Sequence, residues 1–413
     1  MEKGYIQRTL QKSVIEAARH FPALLISGPR QVGKTTLLKH LMNDLSEEPL
    51  TYITLDNPVL RSAARTDPEL FLQRYPVPLV IDEIQYAPQL LPWIKIRIDE
   101  SAKNGRYFLT GSQLFSMMRD VGESLAGRIG LLNIFSLSNN EIRGLTETPF
   151  VPDMAAAIRR SEAYKTDISS VFRAVFHGSM PRMITDDTLE PELFYSSYLQ
   201  TYLERDIRDL VSIRDENRFL RFVSSAAARS AQELVYEDLA RDAEIDAKTA
   251  NAWLSLLVSS GLAYLLQPYH SNAIKRIVKR PKLYFMDTGL CCYLARWNDP
   301  RSLEFSAMAG PLFETWVVSE IIKSWTNNGK DVRNSLYFYR DNNGKEIDLL
   351  ILRDNKLHPV EIKMSADPGR AAIKNFAVLG KLGIPIGEGA VVCMSPKPVP
   401  VDSLNAFLPI QCI

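Results

Sequence analysis

Residues 23–42, ALLISGPRQVGKTTLLKHLM, constrain the fold of this chain more than any other stretch. A short apolar run, Ala23 to Ser27, leads at once into a glycine-bounded loop and then into residues spaced for an amphipathic helix over Thr36 to Met42. The loop, Gly28-Pro29-Arg30-Gln31-Val32-Gly33-Lys34-Thr35, fits G-x-x-x-x-G-K-[ST]. Strand, tight loop and helix start in that order form a cradle for phosphate. Glycines let the backbone bend so that its N–H groups converge, and the helix N-terminus adds partial positive charge. Residues 28 to 36, Thr36 included, are expected to bind ATP. Lys34 would reach the β- and γ-phosphates, and the Thr35 hydroxyl would serve Mg2+.

Two later stretches complete such a site. In YPVPLVIDEIQYAP an apolar strand ends in Asp82-Glu83. Acidic residues just past a hydrophobic strand suit a metal and a general base: Asp82 would hold Mg2+ and Glu83 would deprotonate the attacking water. A third strand, Arg106 to Thr110, runs into Gly111-Ser112-Gln113. Thr110 and Ser112 are both candidates to contact the γ-phosphate or the lytic water. Arg128, in the glycine-flanked turn of ESLAGRIG, is read either as an arginine directed at a γ-phosphate, its own or a neighbour's, or as a surface residue.

GPRQVGKTT, LVIDEIQ, FLTGSQ and LAGR together resemble the prokaryotic AAA-type ATPases that have a restriction-endonuclease-like C-terminal domain of unknown function. The resemblance spans nearly the whole chain and is strongest over residues 20–145. It implies an α/β protein: a P-loop αβα sandwich, a helical lid, a winged helix and a C-terminal restriction-endonuclease-like α/β domain. Boundaries at 1–148, 149–229, 230–285 and 286–413 follow. The family usually has a glycine pair before the proline that here stands in HGSMPR, so this chain departs from it at Gly178-Ser179.

Composition limits what else the 413 residues can be. A hydrophobic fraction of 46% and a charged fraction of 23% exclude disordered and fibrous classes. The formal net charge of +1 gives no whole-chain signature of nucleic-acid binding, so any such surface must be local. Cys291, Cys292, Cys393 and Cys412 form no C-x-x-C pair, and reduced structural thiols are expected. No apolar run approaches the ~18 residues that span a bilayer, and the polar start MEKGYIQRTLQK does not read as a secretory signal. The expectation is a cytoplasmic protein without a membrane partner, with homo-oligomers left open.

Between Pro152 and Arg229 the pattern is helical. In SYLQTYLERDIRDLVSI, Tyr198, Tyr202, Ile207 and Leu210 share a face. Arg205 and Arg208 lie among acidic neighbours and read as intrahelical ion pairs, with a nucleotide-sensing role for Arg205 as the alternative. Residues 231–284 give helix, turn, helix, strand, hairpin and strand, the order of a winged helix. Its second helix offers little for base readout, whereas the hairpin NAIKRIVKRPK carries Lys275, Arg276, Lys279, Arg280 and Lys282. These suit phosphate contact with DNA or RNA; a solvated charge run or a protein-docking face is the other reading.

In the C-terminal part, GPLFETWVVSEIIKSW reads as an amphipathic helix carrying Glu314. Tyr337 to Arg340, Glu346-Ile-Asp348 onward, and Leu357 to Lys363 read as three strands, with a hairpin turn at Asn342-Asn343-Gly344. Metal-dependent phosphodiester cleavage needs carboxylates from adjacent strands and a lysine beside them. Asp348, Glu361 and Lys363, with Glu314 from the helix and Glu346 assisting, supply that set; the spacing of two puts Glu361 and Lys363 on one strand face. The arrangement resembles restriction-endonuclease-like nucleases. The sequence thus supports an ATP-hydrolysing protein coupled to a nuclease-like domain. The alternative is an ATP-switched interaction module whose nuclease-like domain binds without cutting.

Overall fold

The computed structural model describes residues 4–45, 48–101, 103–112, 125–162, 164–202, 216–270 and 280–413. Five short strands, β1 (Ala23–Ser27), β2 (Thr51–Thr54), β3 (Leu79–Asp82), β4 (Tyr107–Gly111) and β5 (Ile129–Asn133), form one sheet in the order β2-β3-β4-β1-β5. All the pairings are parallel. Both faces are covered, as a parallel sheet requires. Leu24 and Ile26 point into a core shared with Val14, Leu37, Leu38 and Leu41. Ala23 and Leu25 point into the other, with Ile81, Leu90, Ile94 and Leu109. The alternation with period two makes the αβα sandwich, and every residue of β1, β3 and β4 is buried. Because the strands run the same way, Ser27, Asp82 and Gly111 all end at one edge, and the segments that follow them meet there.

The expected helical stretch contains helices Met154–Ser161, Ile168–His177, Pro181–Thr185, Pro191–Tyr202 and Glu216–Ala227. Arg205, Arg208, Ile207 and Leu210 lie outside the described residues. A second small sheet follows: β6 (Gln232–Glu233), β7 (Ala263–Leu266) and β8 (Lys282–Phe285) pair antiparallel in the order β6-β8-β7. Helices Tyr236–Ala243 and Ala247–Ser259 lie between β6 and β7, the second capped by Asp246, whose carboxylate accepts from the Thr249 N–H. Lys275, Arg276 and Lys279 lie outside the described residues, and Arg280 is exposed.

Packing does not change at residue 286, where the last boundary was expected. The helices Thr288–Leu294 and Pro300–Glu304 pack on Ile168–His177 and so belong to the helical body. Asp287 ties the two together. One of its carboxylate oxygens accepts from the Tyr195 hydroxyl at 2.7 Å and the Leu290 N–H at 2.9 Å, and the other from the Ser179 N–H at 2.9 Å. Gly178 has φ +73°, and a Cβ there would stand 2.0 Å from the Tyr195 hydroxyl oxygen. The Ser179 that departs from the family pattern therefore still supplies its N–H to this bond.

The C-terminal unit opens with helix Ala309–Asn327 and continues through β9 (Leu336–Arg340), β10 (Glu346–Arg353), β11 (Lys356–Ile362), β12 (Gly389–Cys393), β13 (Val399–Pro400) and β14 (Asn405–Pro409). The sheet order is β13-β14-β12-β11-β10-β9. β9, β10 and β11 are antiparallel neighbours, whereas β12 joins β11 in parallel and β14 joins β12 in parallel. The helix is not amphipathic in its setting. From Thr315 onward every residue to Asn327 is buried, Glu320 and Lys323 included. Those two pair at 2.8 Å; Lys323 also donates to the Leu137 carbonyl and the Ser179 hydroxyl, and Glu320 accepts from the Asn139 N–H. Buried charge is tolerated because it is both paired and hydrogen-bonded. All four cysteines are free and buried. Among the described residues no helix is long and apolar enough to cross a membrane.

Candidate functional site

The edge where β1, β3 and β4 end gathers the residues singled out around the P-loop. Gly28 passes so close to the next strand that a Cβ would lie 2.0 Å from the Ile134 carbonyl oxygen, and Gly33 turns the chain with φ +93°. Helix Lys34–Leu45 starts at the motif lysine, two residues earlier than the periodicity suggested. The Lys34 ammonium donates to the Gly28 and Pro29 carbonyls at 2.9 and 2.8 Å and is held over the loop. The Thr35 hydroxyl donates to both Asp82 carboxylate oxygens, at 2.8 and 3.1 Å. A hydroxyl and a carboxylate this close are a hard-oxygen pair of the kind Mg2+ prefers, so the donor set fits the ion.

Thr110 and Ser112 separate in their roles. Thr110 is wholly buried, donates to Asp82 at 2.5 Å and accepts from the Glu83 N–H at 3.1 Å. It fixes the acidic pair from behind. Ser112 faces the front, 3.3 Å from the Gln85 amide nitrogen, and that amide also binds Glu83. Glu83 itself is left-handed, φ 60°, a costly conformation for a non-glycine residue that recurs at functional sites.

Arg128 is placed elsewhere. It directly precedes β5, whose first residue is level with Ala23. It therefore sits at the opposite edge of the sheet from its own P-loop, a strand length of about 15 Å away. There its guanidinium pairs with Asp99 at 2.5 Å. Its own P-loop lies at the other end of the strands.

Three further residues had no sequence signal. The Tyr52 hydroxyl donates to Asp82 at 2.8 Å, and burial and the Asp82 charge push its pKa above the ordinary range. Arg8 donates to the Val32 carbonyl inside the loop and to the Phe135 carbonyl, at 2.9 and 2.8 Å. Tyr5 stacks on His40 with ring centroids 3.9 Å apart. A cavity of about 470 Å³ adjoins the loop, lined among others by Tyr5, Ile6, Gly33, Thr36 and Pro181.

The C-terminal carboxylates also converge. Glu314 reaches from helix Ala309–Asn327, Glu346 and Asp348 from β10, and Glu361 from β11. Lys363 pairs with Glu361 at 2.7 Å and lies 4.0 Å from Asp348, which also accepts from the Ile362 N–H at 2.8 Å. Lys282 is the correction here. It was grouped with the solvent-facing basic hairpin, but it is the first residue of β8, 3% exposed. Its ammonium sits 3.0 Å from Glu314, 2.5 Å from Glu346 and 4.0 Å from Asp348. The Tyr284 hydroxyl donates to Glu314 at 2.7 Å.

Crowded carboxylates in a dry site resist ionisation. Burial, reinforced by the Asp348 charge, raises Glu314 and Glu361 each to about 7. Burial likewise raises Asp348, against the pull of Lys282 and Lys363. The carboxylates hold Lys282 above the ordinary lysine range, although burial alone would lower it. One oxygen of Glu361, Oε2, is buried with no hydrogen-bond partner.

Comparison with known proteins divides the chain similarly. Residues 20–143 match the model of the AAA domain. Residues 168–301 match a domain of unknown function (DUF8612), and residues 309–413 match a domain of unknown function (DUF4143). Beyond the AAA domain, an uncharacterized protein of Mycobacterium bovis, Mb2031c, and one of Mycobacterium tuberculosis, Rv2008c, are each 28% identical over 354 residues, covering 85% of this chain and 72% of the relative. Two solved structures align loosely, both with a TM-score of 0.30. AMPPCP-bound DnaA from Aquifex aeolicus is 12% identical, over 60% of this chain and 84% of its own. A DNA replication initiation factor is 13% identical, over 61% and 90%.

Proposed function

We propose that the protein binds and hydrolyses ATP with Mg2+, and that nucleotide state acts on a nuclease-like C-terminal unit. The observation that carries the ATPase reading is the convergence of Lys34, Thr35, Asp82, Glu83 and Ser112 on one sheet edge. In it Lys34 and the loop N–H groups neutralise the phosphates. Thr35 and Asp82 hold the magnesium, which supplies charge stabilisation to the transferring phosphoryl group. Glu83, oriented by Gln85, takes the proton of the attacking water, and Ser112 lies within reach of the γ-phosphate. The cavity beside Tyr5, Gly33 and Thr36 is of a size and position for the base and ribose. Arg128 acts on a neighbouring copy's nucleotide, since its own is beyond reach. The test is ATP binding and turnover for wild type, Lys34→Ala and Glu83→Gln. Turnover by Glu83→Gln at the wild-type rate would remove Glu83 as the base.

For the C-terminal unit the reading is a metal-dependent nuclease-like site of Glu314, Asp348, Glu361 and Lys363. Three antiparallel strands with a fourth in parallel, and carboxylates from one helix and two of those strands, support it. Glu361 Oε2 is buried without a hydrogen-bond partner, but among the described residues no group of three or more Asp, Glu, His or Cys side chains is placed to hold a metal ion. The helix, helix and hairpin of residues 232–285 are read as a winged helix, whose Lys275, Arg276, Lys279 and Arg280 would contact nucleic-acid phosphates. A second reading, an ATP-switched interaction module that does not cut, is favoured by one observation: the Lys282 ammonium already occupies the space between Glu314 and Glu346. Incubation with single- and double-stranded DNA and RNA, with Mg2+ or Mn2+, with and without ATP, separates them. Cleavage lost in Lys363→Ala supports the nuclease; no cleavage with the ATPase intact supports the module.

A further inference from the structure

The cavity beside the P-loop is walled by segments from three parts of the chain. Tyr5, Ile6 and Arg8 line one side, Gly33 and Thr36 belong to the loop and its helix, and Leu137, Pro181 and Thr185 line the rest. Two of these walls are fastened to residues 135–141, which follow β5. Arg8 donates to the Phe135 carbonyl at 2.8 Å, and the Thr9 N–H donates to Glu141 at 2.8 Å. On the other side the Leu137 N–H donates to the Ser179 carbonyl at 2.9 Å, and the Ser179 hydroxyl donates to that of Ser136 at 2.8 Å. Only Met180, itself buried, separates Ser179 from Pro181, the first residue of helix Pro181–Thr185. The fixed φ of a proline is set for a helix start, so the seating of Ser179 decides where this wall stands.

A side chain from the C-terminal unit completes that seating. Lys323, on helix Ala309–Asn327, is 2% exposed, and an ammonium so buried must place its three hydrogens on acceptors. One goes to Glu320 at 2.8 Å, and the other two go to the Leu137 carbonyl and the Ser179 hydroxyl, each at 3.0 Å. Both acceptors outside the ion pair belong to the cavity wall: Leu137 lines it, and Ser179 anchors the helix that does. Lys323 thus joins Leu137 to Ser179 a second time, through charge-assisted bonds that are stronger than neutral ones. Glu320 holds the same segment two residues on, accepting from the Asn139 N–H at 2.6 Å.

We propose that Lys323 is a positioning residue of the nucleotide site: carried by the C-terminal unit, it fixes the wall of Leu137 and helix Pro181–Thr185 against which the base and ribose of ATP rest, without touching them. The proposal rests on the reading of this cavity as the place of base and ribose. It makes nucleotide affinity depend on the C-terminal unit through a fixed contact, with no movement required. Because that wall lies beside the base rather than the phosphates, its loss weakens ATP and spares a bare polyphosphate.

The test uses the full-length protein with Mg2+ and two probes, ATP and inorganic tripolyphosphate, which keeps the phosphates and lacks base and ribose. Binding is measured by calorimetry for wild type, Ser179→Ala and the double variant Lys323→Met/Glu320→Gln, in which neither charge is left buried without the other. The double variant is expected to bind ATP about tenfold more weakly, equivalent to about 1.4 kcal/mol, with tripolyphosphate binding unchanged. Ser179→Ala keeps the ion pair and is expected to shift in the same direction by a smaller factor; it carries the test if the double variant does not melt cooperatively. In turnover, KM for ATP is expected to rise while kcat holds, the pattern of lost uniform binding. Unchanged ATP affinity in both variants, or an equal loss for ATP and tripolyphosphate, overturns the positioning role while leaving the nucleotide site standing. Wild type that binds both probes equally well overturns the placement of base and ribose in this cavity, and the proposal with it.

Discussion

The two candidate sites of this chain are both made of oxygen donors and lysine, and they are built in opposite ways. At the P-loop the lysine rests on main-chain carbonyls of its own motif, and Asp82 is held by hydroxyls of Thr35, Tyr52 and Thr110. The cradle is polar, and the Lys34 ammonium is held there by the Gly28 and Pro29 carbonyls. In the C-terminal unit the carboxylates Glu314, Glu346, Asp348 and Glu361 are crowded together, and the two lysines are spent on them. The first is arranged to receive a charged ligand. The second has its charge answered from within, by a residue that another element brings. Local assembly leaves a site open, whereas assembly across elements allows one part of the molecule to close another.

Four substitutions would break or sharpen that contrast, those in the nucleotide cradle first. Lys34→Ala should weaken ATP binding on the order of 100-fold or more, about 2.7 kcal/mol, measured by calorimetry. Affinity within a factor of a few would mean that the open cradle is not the nucleotide site. Glu83→Gln should keep binding and lower turnover on the order of 100-fold, the usual contribution of a general base, read from steady-state phosphate release. Glu314→Ala takes from the buried Lys282 one of its close carboxylates, and should cost about 3 kcal/mol of stability by thermal or denaturant unfolding. A change below about 0.5 kcal/mol would show that this pair contributes nothing net. Arg128→Ala should leave stability nearly unchanged, because its pair with Asp99 is exposed and screened. Its effect on ATP turnover should instead depend on protein concentration. A loss that is the same at all concentrations would remove the neighbour's site as its target.

How much of this was legible in advance varies with the distance over which a site is assembled. Gly28 to Thr36 could be read directly, because loop, glycines and helix start are contiguous and one short segment determines their geometry. Asp82 and Glu83 were legible because charge at the end of an apolar strand has few other uses. Thr110 and Ser112 could not be told apart, since one stands in the strand and the other one residue past its end, a boundary the sequence does not mark. Arg128 was legible as a residue but not as a position: only the parallel register with β1 puts it at the far edge. Tyr52 and Arg8 gave no signal, as each acts through hydrogen bonds to residues far along the chain.

Residues 309–327 show the same limit in packing. Their apolar spacing gives a helix, but its burial on nearly all sides follows from what surrounds it, and Glu320 and Lys323 are tolerated inside because they pair and because Leu137, Asn139 and Ser179 offer them partners.

Sequence alone determined the local units: the phosphate loop, the strand-end carboxylates, the alternation that sets Glu361 and Lys363 on one face. These depend on backbone geometry and on periods of two and 3.6 residues, which are written in neighbouring positions. Only the tertiary structure decided which units meet. It moved Lys282 from a presumed solvent-facing hairpin to the centre of an acidic cluster, set Arg128 away from its own nucleotide, and laid Gly261 on Pro29. A lysine's charge reads the same in any sequence. Its role depends on the desolvation and the carboxylates that the fold brings to it.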